Sequence, residues 1–175
     1  MLQPKLDRPS KPDAQAAAEL YDRDPVLWSE QQAQLLTAVA AGERPAGIDW
    51  ANIIEEIESV GRSQTSAVES LLLQALVHEF KARLWPDTSY VEGWGNESLL
   101  FQAQAAGQFT TSMRQKIDVS KLVARAARAV PRTIDGAGAN RPLLLELADP
   151  AMRELRAWLT DPDSRTLSLT EDHRS

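Results

Sequence analysis

The sequence predicts an all-α protein, a multi-helix bundle around a central buried helix at about residues 65–84. Apolar residues recur at the three- and four-residue spacing of a helix along most of the chain. Proline, glycine and short polar residues stand where these segments begin and end. No alternating run of β-branched residues indicates a strand, and no internal repeat is present.

Three predicted elements precede the central helix. Residues 1–12 contain three prolines and are expected to form a flexible arm, followed by a short helix over Ala14–Leu20. Asp24 is an N-cap residue before a proline, which predicts a helix over about 25–41. A third helix begins after Asp49, and Gly61 ends or loosens it. Its apolar residues form one stripe: Trp50, Ile53, Ile54, Ile57 and Val60.

The central helix is apolar around most of its circumference. Only a wedge remains polar, formed by Ser70, Gln74, His78 and Lys81. A helix with so many apolar sides must pack against several neighbours, which indicates a bundle. Trp85–Pro86 ends the helix.

Further helices follow the central one. A fourth begins after Asn96, and its expected core residues are Leu99, Leu100, Phe109, Met113 and Ile117. A fifth is capped by Ser120 and reaches Ile134, with a bend or break at Pro131. Shorter helices begin at about Asn140 and Asp149. Residues 13–160 are therefore expected to form a single domain, and 161–175 a frayed tail.

Composition narrows the classes of function. The chain has no cysteine, which excludes thiolate catalysis, cysteine-based zinc sites and disulfides. No apolar run follows the first basic residues and none is long enough to cross a membrane, so we expect a cytoplasmic protein without membrane contact. Glycine-rich phosphate loops and zinc-ligand spacings are also absent, so no cofactor or metal is expected.

Charge is distributed unevenly along the chain. The net charge of −6 disfavours a general nucleic-acid or membrane-surface binder. Residues 1–113 carry 8 basic and 16 acidic side chains, whereas residues 114–141 carry 7 basic and 2 acidic ones. The basic block is therefore the electrostatic feature that a function must explain.

The first half of the chain resembles a known family. Tyr21-Asp22, Trp28 and Gln32 precede the string DWANIIEEIESVGRS at residues 49–63, and LLQALVHEFK follows at residues 72–81. These segments are similar to the domain-of-unknown-function 29 family, DUF29, a set of small helical bacterial proteins without an assigned activity. The resemblance extends from about Tyr21 to Trp158, and it is weaker beyond Pro86. It implies a helical bundle and no reaction.

Two carboxylates and a histidine are the candidate catalytic residues. Glu55 and Glu58 belong to the densest carboxylate group, and His78 lies on the next predicted helix. Helical bundles hold metals with inward-facing Glu and His side chains, but neither histidine here follows a glutamate by three residues. The alternative is a solvated face with ion pairs, and a boundary histidine bonded to the backbone or to water.

Glu79 and the tryptophans are less conventional candidates. Glu79 points into the apolar sector of the central helix, so it should pair with Arg83 or have a raised pKa, and the ion pair is favoured. Trp28, Trp50 and Trp158 have the spacing of core residues. Trp85 and Trp94 flank a loop and could line a groove, with their indole N–H groups available to a ligand.

The basic stripe is the clearest geometric signal. It consists of Lys121, Arg125, Arg128 and Arg132, which fall on one narrow face of a continuous helix. Such a face can bind phosphate or an acidic partner. The favoured alternative is a solvated face, or one that docks on the acidic third helix of the same bundle.

Three functions follow from these features. The favoured one is a non-enzymatic protein-interaction domain, with a protein partner or a second copy as its ligand, because no catalytic constellation accompanies the core. The second is polyanion or nucleic-acid binding through Lys121–Arg132. The third is a metal-dependent or acid–base enzyme that uses Glu55, Glu58 and His78.

Overall fold

The structure is a computed structural model that describes residues 11–169, with side chains described from Ala14 onward. Within this range, helices form nearly all of the regular structure, which confirms the all-α prediction. The helices are α1 (Lys11–Arg23), α2 (Pro25–Ala40), α3 (Trp50–Leu84), α4 (Val91–Gln108), α5 (Val119–Ala129), α6 (Arg141–Glu146) and α7 (Ala148–Thr160). A 3-10 turn (Thr111–Met113) and a hairpin of β1 (Thr133–Ile134) and β2 (Ala137–Gly138) complete the elements.

The third and central predicted helices are one continuous element, α3. Gly61 was expected to end or loosen the first of them, and the helix continues through it. A glycine inside a helix costs only about 1 kcal/mol relative to alanine, which neighbouring helical residues can offset. Within residues 11–169 the chain divides into two compact units, the first ending at Gly61 and the second beginning at Arg62.

A buried carboxylate group joins two helices of the first unit. α1 packs on α2, and the small core contains Leu20, Trp28, Ile48 and Ile53. Asp49 is buried among them. Its carboxylate accepts from the Trp28 indole at 3.2 Å, from the Asn52 side chain at 2.6 Å and from the Asn52 amide at 3.3 Å. Asp49 therefore caps α3 and also ties it to α2.

Gln32 completes this network from α2. Its Oε1 accepts from the Asp49 amide at 2.9 Å, and its Nε2 donates to the Gly47 carbonyl at 3.3 Å. Tyr21 adds a bond from α1, because its hydroxyl donates to the Glu56 carboxylate. Residues from the family-like string thus hold the three helices of this unit together.

The second unit surrounds the later part of α3, as the sequence predicts. Val68, Leu72, Ala75, Leu76 and Phe80 are completely buried. α5 and α6 both pack on α7, and their buried side chains belong to the same core, including Leu122, Val123, Ala126, Leu144, Leu155 and Trp158.

The fourth predicted helix differs in its ends and in its exposed side. α4 begins at Val91 and ends at Gln108. Met113 and Ile117 are buried as expected, but they lie beyond α4. Leu99 and Leu100, expected in the core, are about half exposed, whereas Ser98 and Gln102 are buried. The inner face of α4 is therefore partly polar.

The fifth predicted helix ends early, at Ala129. Val130 is extended and a two-residue hairpin follows. Asp135 and Gly136 form its turn with φ of 49° and 81°, the left-handed conformation that an Asp-Gly pair adopts readily in a tight hairpin. Trp85 donates its indole N–H to the Ala137 carbonyl at 3.0 Å, which attaches the hairpin to the end of α3.

The predicted arm and tail are only partly described. Of the arm, residues 1–10 lie outside the described range, and α1 begins at Lys11. Of the tail, residues 170–175 lie outside it, but 161–169 differ from the expected frayed segment. Leu167 and Leu169 are buried in the core of the second unit.

Asp49→Ala should lower the free energy of unfolding by about 2–4 kcal/mol, because it removes a helix cap and leaves buried donors unpaired. Asp24→Ala is the matched control. Asp24 caps α2 through one bond to the Leu27 amide and is not buried, so its loss should cost about 1 kcal/mol. Urea denaturation measures both, and equal costs for the two substitutions would contradict the role given to Asp49.

Candidate functional site

The candidate catalytic residues do not form a metal site. Glu55 and Glu58 are exposed on α3 in the first unit, and His78 is on α3 in the second. Among the described residues, no group of three His, Asp or Glu side chains is placed to hold a metal ion. The hypothesis that Glu55, Glu58 and His78 act together in catalysis stays a prediction.

His78 lies at a boundary between core and solvent. Its Nδ1 is 2.9 Å from Oε2 of the exposed Glu97, and its ring is 5.6 Å from the ring of Phe101. Nδ1 is buried without a hydrogen-bond partner, so Glu97 attracts the ring only when the imidazole is protonated. Burial lowers the pKa of His78, nearby Lys81 lowers it further, and Glu97 opposes both. The imidazole is therefore mainly neutral at neutral pH.

The basic stripe is exposed but shorter than predicted. Lys121, Arg125 and Arg128 lie on α5 within about 60° of one another, and all three are exposed. Arg132 is exposed as well, but it follows the end of α5, so the continuous helix that would align it is absent. The stripe is thus a three-residue surface on α5.

Carboxylates accompany the start of this stripe. A small cleft of about 150 Å³ is lined by Glu69 and Asp118 together with Lys116, Lys121 and Arg125. Asp118 caps α5, since its Oδ1 accepts from the Lys121 amide at 3.0 Å and from the Ser120 hydroxyl at 2.7 Å. These bonds hold the pKa of Asp118 below its ordinary value. Two carboxylates, those of Glu69 and Asp118, thus stand among the basic side chains at this end of the stripe.

A larger apolar cleft lies beside the stripe, between α5, α6 and α7. Its volume is about 500 Å³. Its apolar lining includes Val123, Ala124, Ala127, Leu144, Leu145 and Met152. Arg128 and Arg141 also line it, both are exposed, and no carboxylate is among its lining residues. The cleft therefore combines apolar walls with positive charge.

α5 presents a different surface to each side. Leu122, Val123 and Ala126 are buried in the core. Ala124 and Ala127 line the cleft. They lie between this buried side and Arg128, which belongs to the stripe and lines the cleft as well. A ligand in the cleft would thus meet small apolar side chains and a guanidinium on one helix.

Sequence reasoning missed this cleft, although a signal was present. Residues 143–145 are three consecutive leucines on the short helix α6. Three successive helical positions span about 200°, so one of the leucines must face away from the core. Leu144 is buried, whereas Leu145 is 77% exposed.

A second apolar surface lies on the first part of α3. Trp50, Ile54 and Ile57 are 49%, 54% and 68% exposed, and they lie within about 60° of one another on the helix. We call them the α3 apolar face. The prediction that Trp50 belongs to the core is wrong, because only Ile53 of the predicted stripe is buried. α1 and α2 cover only part of the stripe, so its other apolar residues remain exposed.

The other tryptophans are internal. Trp28 and Trp158 are buried as predicted. Trp85 and Trp94, which were considered for a groove, are buried too. The Trp85 indole N–H bonds the hairpin, and the Lys81 ammonium lies 5.8 Å from the centre of the Trp94 ring. These indoles support the fold.

A buried polar cluster fixes the C-terminal segment. Gln102 bonds both backbone groups of Leu167, since Oε1 accepts from its amide at 2.7 Å and Nε2 donates to its carbonyl at 2.9 Å. Nε2 also donates to the Ser98 hydroxyl at 3.0 Å. Glu79 Oε2 accepts from the Leu169 amide at 2.9 Å. Side chains of α3 and α4 thereby hold the backbone of a segment that has no regular secondary structure.

Burial is the main influence on Glu79, and it raises the pKa of the carboxyl group. Bonds from the Leu169 amide and the Ser98 hydroxyl, and the charge of Arg83, act in the opposite direction. The sequence offered an ion pair with Arg83 or a raised pKa as alternatives. Both influences operate, and the pKa is nevertheless raised.

Glu79→Gln should make the protein more stable than the wild type at neutral pH, and the difference should shrink as the pH falls. A carboxyl group with a raised pKa in the folded state stabilises the fold below its unfolded pKa of about 4.5, and it loses that contribution as the pH rises through the folded value. Each unit of pKa difference corresponds to about 1.4 kcal/mol. Urea denaturation from pH 4.5 to 8 measures the effect.

The exposed Glu92→Gln on α4 is the matched control and should leave the pH dependence unchanged. Gln102→Ala should increase hydrogen exchange at the Leu167 amide at every pH, because its acceptor is removed. A Glu79→Gln protein whose stability parallels that of the wild type across this range would show that Glu79 carries no raised pKa.

Similarity to known proteins is informative at the level of the family. No helix within residues 11–169 is long and apolar enough to cross a membrane. No curated protein and no solved structure matches the chain. The model of the family described as "Domain of unknown function DUF29" matches residues 20–139, which is more than half of the chain. This range contains the Asp49 network, α3, α4 and α5, and it ends before α6 and α7. The chain belongs to the DUF29 family.

Proposed function

We propose that this protein is a non-enzymatic interaction module that binds an acidic amphipathic helix of a protein partner in the apolar cleft. The observation that carries the proposal is the cleft itself, with apolar walls and two exposed arginines, Arg128 and Arg141. Helix-in-groove recognition needs an apolar trough for anchors spaced at i, i+4 and i+7 and charged edges for orientation.

The walls of the cleft suit a helix. Ala124 and Ala127 are small, so a helix can approach α5 closely. Leu145 is 77% exposed and gains most from being covered, since burying a leucine stabilises a complex by about 1.5–3 kcal/mol. Arg128 and Arg141 provide planar donors that match carboxylates, which favours glutamate or aspartate beside the anchors.

Polyanion binding through the stripe is the competing proposal. Glu69 and Asp118 stand beside Lys121 and Arg125, and the chain carries a net charge of −6. Both features oppose a phosphate backbone more than they oppose a short peptide that contacts only Arg128 and Arg141. The protein partner is therefore the better match to the charges.

The test uses a fluorescein-labelled helical peptide with leucines at i, i+4, i+7 and i+11 and glutamates at the flanking positions. Ala124→Glu should weaken its binding at least tenfold, because the new carboxylate fills the cleft and repels the peptide. Ala129→Glu adds the same group to an exposed position of α5 outside the cleft and should have little effect. Fluorescence anisotropy measures the affinities, and circular dichroism verifies the helical content of each variant.

Three outcomes would count against the proposal. The first is equal binding of the peptide to the wild type and to Ala124→Glu. The second is equal binding of a control peptide that carries lysines in place of the glutamates. The third is tight, steeply salt-dependent binding of a labelled DNA oligonucleotide that is lost in Arg125→Glu but retained in Ala124→Glu, which would establish polyanion binding instead.

A further inference from the structure

The strongest unexplained surface outside the cleft is the α3 apolar face. Trp50, Ile54 and Ile57 occupy positions i, i+4 and i+7 of α3, and each is about half exposed or more. Three large apolar side chains on one narrow helical face are the anchor pattern of a helix that docks into a groove. Isolated exposed apolar residues are ordinary, but a contiguous set indicates an interaction surface.

The polar side of the same segment is acidic. Residues 50–60 contain three glutamates, Glu55, Glu56 and Glu58, and no lysine or arginine. The first part of α3 is thus itself an acidic amphipathic helix with exposed anchors. This is the class of ligand proposed for the apolar cleft.

We propose that the cleft of one molecule binds the α3 apolar face of a second copy, so that the protein associates with itself head to tail. This inference rests on the proposed function of the cleft and names its partner. Trp50, Ile54 and Ile57 enter the cleft and contact Ala124, Ala127 and Leu145 of the other copy. Glu58, one turn after Ile54, lies at the edge of this face and is placed toward Arg128 and Arg141 of the other copy.

The dimensions of the two surfaces agree. Ile57 lies seven positions after Trp50, a rise of about 10 Å along the helix. The α5 residues that line the cleft extend from Ser120 to Arg128, a rise of about 12 Å. The wall is therefore long enough for all three anchors.

Charge selects this arrangement over a symmetric one. Two α3 apolar faces packed against each other would place the glutamates of both copies side by side, which is unfavourable. Pairing one face with a cleft places glutamates against arginines. Because the face and the cleft are different surfaces of one chain, each added molecule leaves one of each unoccupied, and association continues into a ring or a linear assembly.

The decisive test combines two variants that each lose one of the two surfaces. Ile57→Glu removes the face and keeps the cleft, whereas Ala124→Glu removes the cleft and keeps the face. Ile57 and Ala124 are exposed, so both variants should fold. Sedimentation velocity should show that the wild type grows beyond a dimer with concentration. A contact of this size belongs to the weak, transient class of interfaces, so association should increase as the protein concentration rises.

Each variant alone should stay monomeric, and an equimolar mixture should form a heterodimer that grows no further. The intact face of Ala124→Glu docks in the intact cleft of Ile57→Glu, and no other complementary pair of surfaces remains. Ala51→Glu and Ala129→Glu are the matched controls. They add the same charge to exposed positions of α3 and α5 outside the two surfaces, and both proteins should still associate.

Failure of this inference can be told apart from failure of the proposed function. A wild type that stays monomeric at several hundred micromolar, or a mixture that remains monomeric, overturns head-to-tail association. Self-association of Ala124→Glu alone also overturns it, because that result requires face-to-face packing. If the wild type binds the leucine–glutamate peptide, the proposed function of the cleft stands in each of these cases. If the wild type does not bind the peptide, both the proposed function and head-to-tail association are overturned.

Discussion

Burial of α3 within the second unit is the constraint on which the candidate site depends. Leu72, Leu76 and Phe80 are wholly enclosed, and the core that encloses them is supplied in part by α5, α6 and α7. Each of these helices turns its most apolar side toward that core. The cleft forms where their remaining sides meet, because the short α6 cannot turn all three of its leucines inward. The surface proposed to bind a partner is therefore a geometric consequence of how the core is closed.

In the first unit, hydrogen bonds of a buried polar group have the role that apolar packing has in the second unit. Its apolar core is small, and the buried Asp49 joins α2 to the start of α3 through four neighbouring groups. A directional network can fix the orientation of a short helix pair with few apolar residues. Because few apolar residues are needed, Trp50, Ile54 and Ile57 have no role in the core of the unit and remain exposed on its surface.

The sequence predicted the parts of the fold that depend on local pattern. The caps at Asp24 and Asp49 and the enclosed segment around Leu72–Phe80 follow from spacing and from residue type alone. Exposure of Trp50 could not be predicted, since a helical stripe shows which residues share a face but not how wide the facing neighbour is. Burial of Leu167 and Leu169 depends on Gln102 and Glu79, which are distant in sequence. The cleft likewise needs the tertiary placement of α6, and the Asp135–Gly136 pair was a turn signal that sequence analysis overlooked.

That turn has a consequence for how related proteins could differ. The hairpin connects α5 to α6, and it is held at both ends, by the Trp85 bond to Ala137 and by the Ala139 amide, which donates to the Arg132 carbonyl at 2.8 Å. A two-residue loop has no slack, so gaining or losing one residue there would change the strand register and re-aim α6 relative to α5. The gap between the two helices could then widen or narrow without any substitution among the side chains that line it. A change in the length of this surface turn would thus be enough to alter which partners the fold binds.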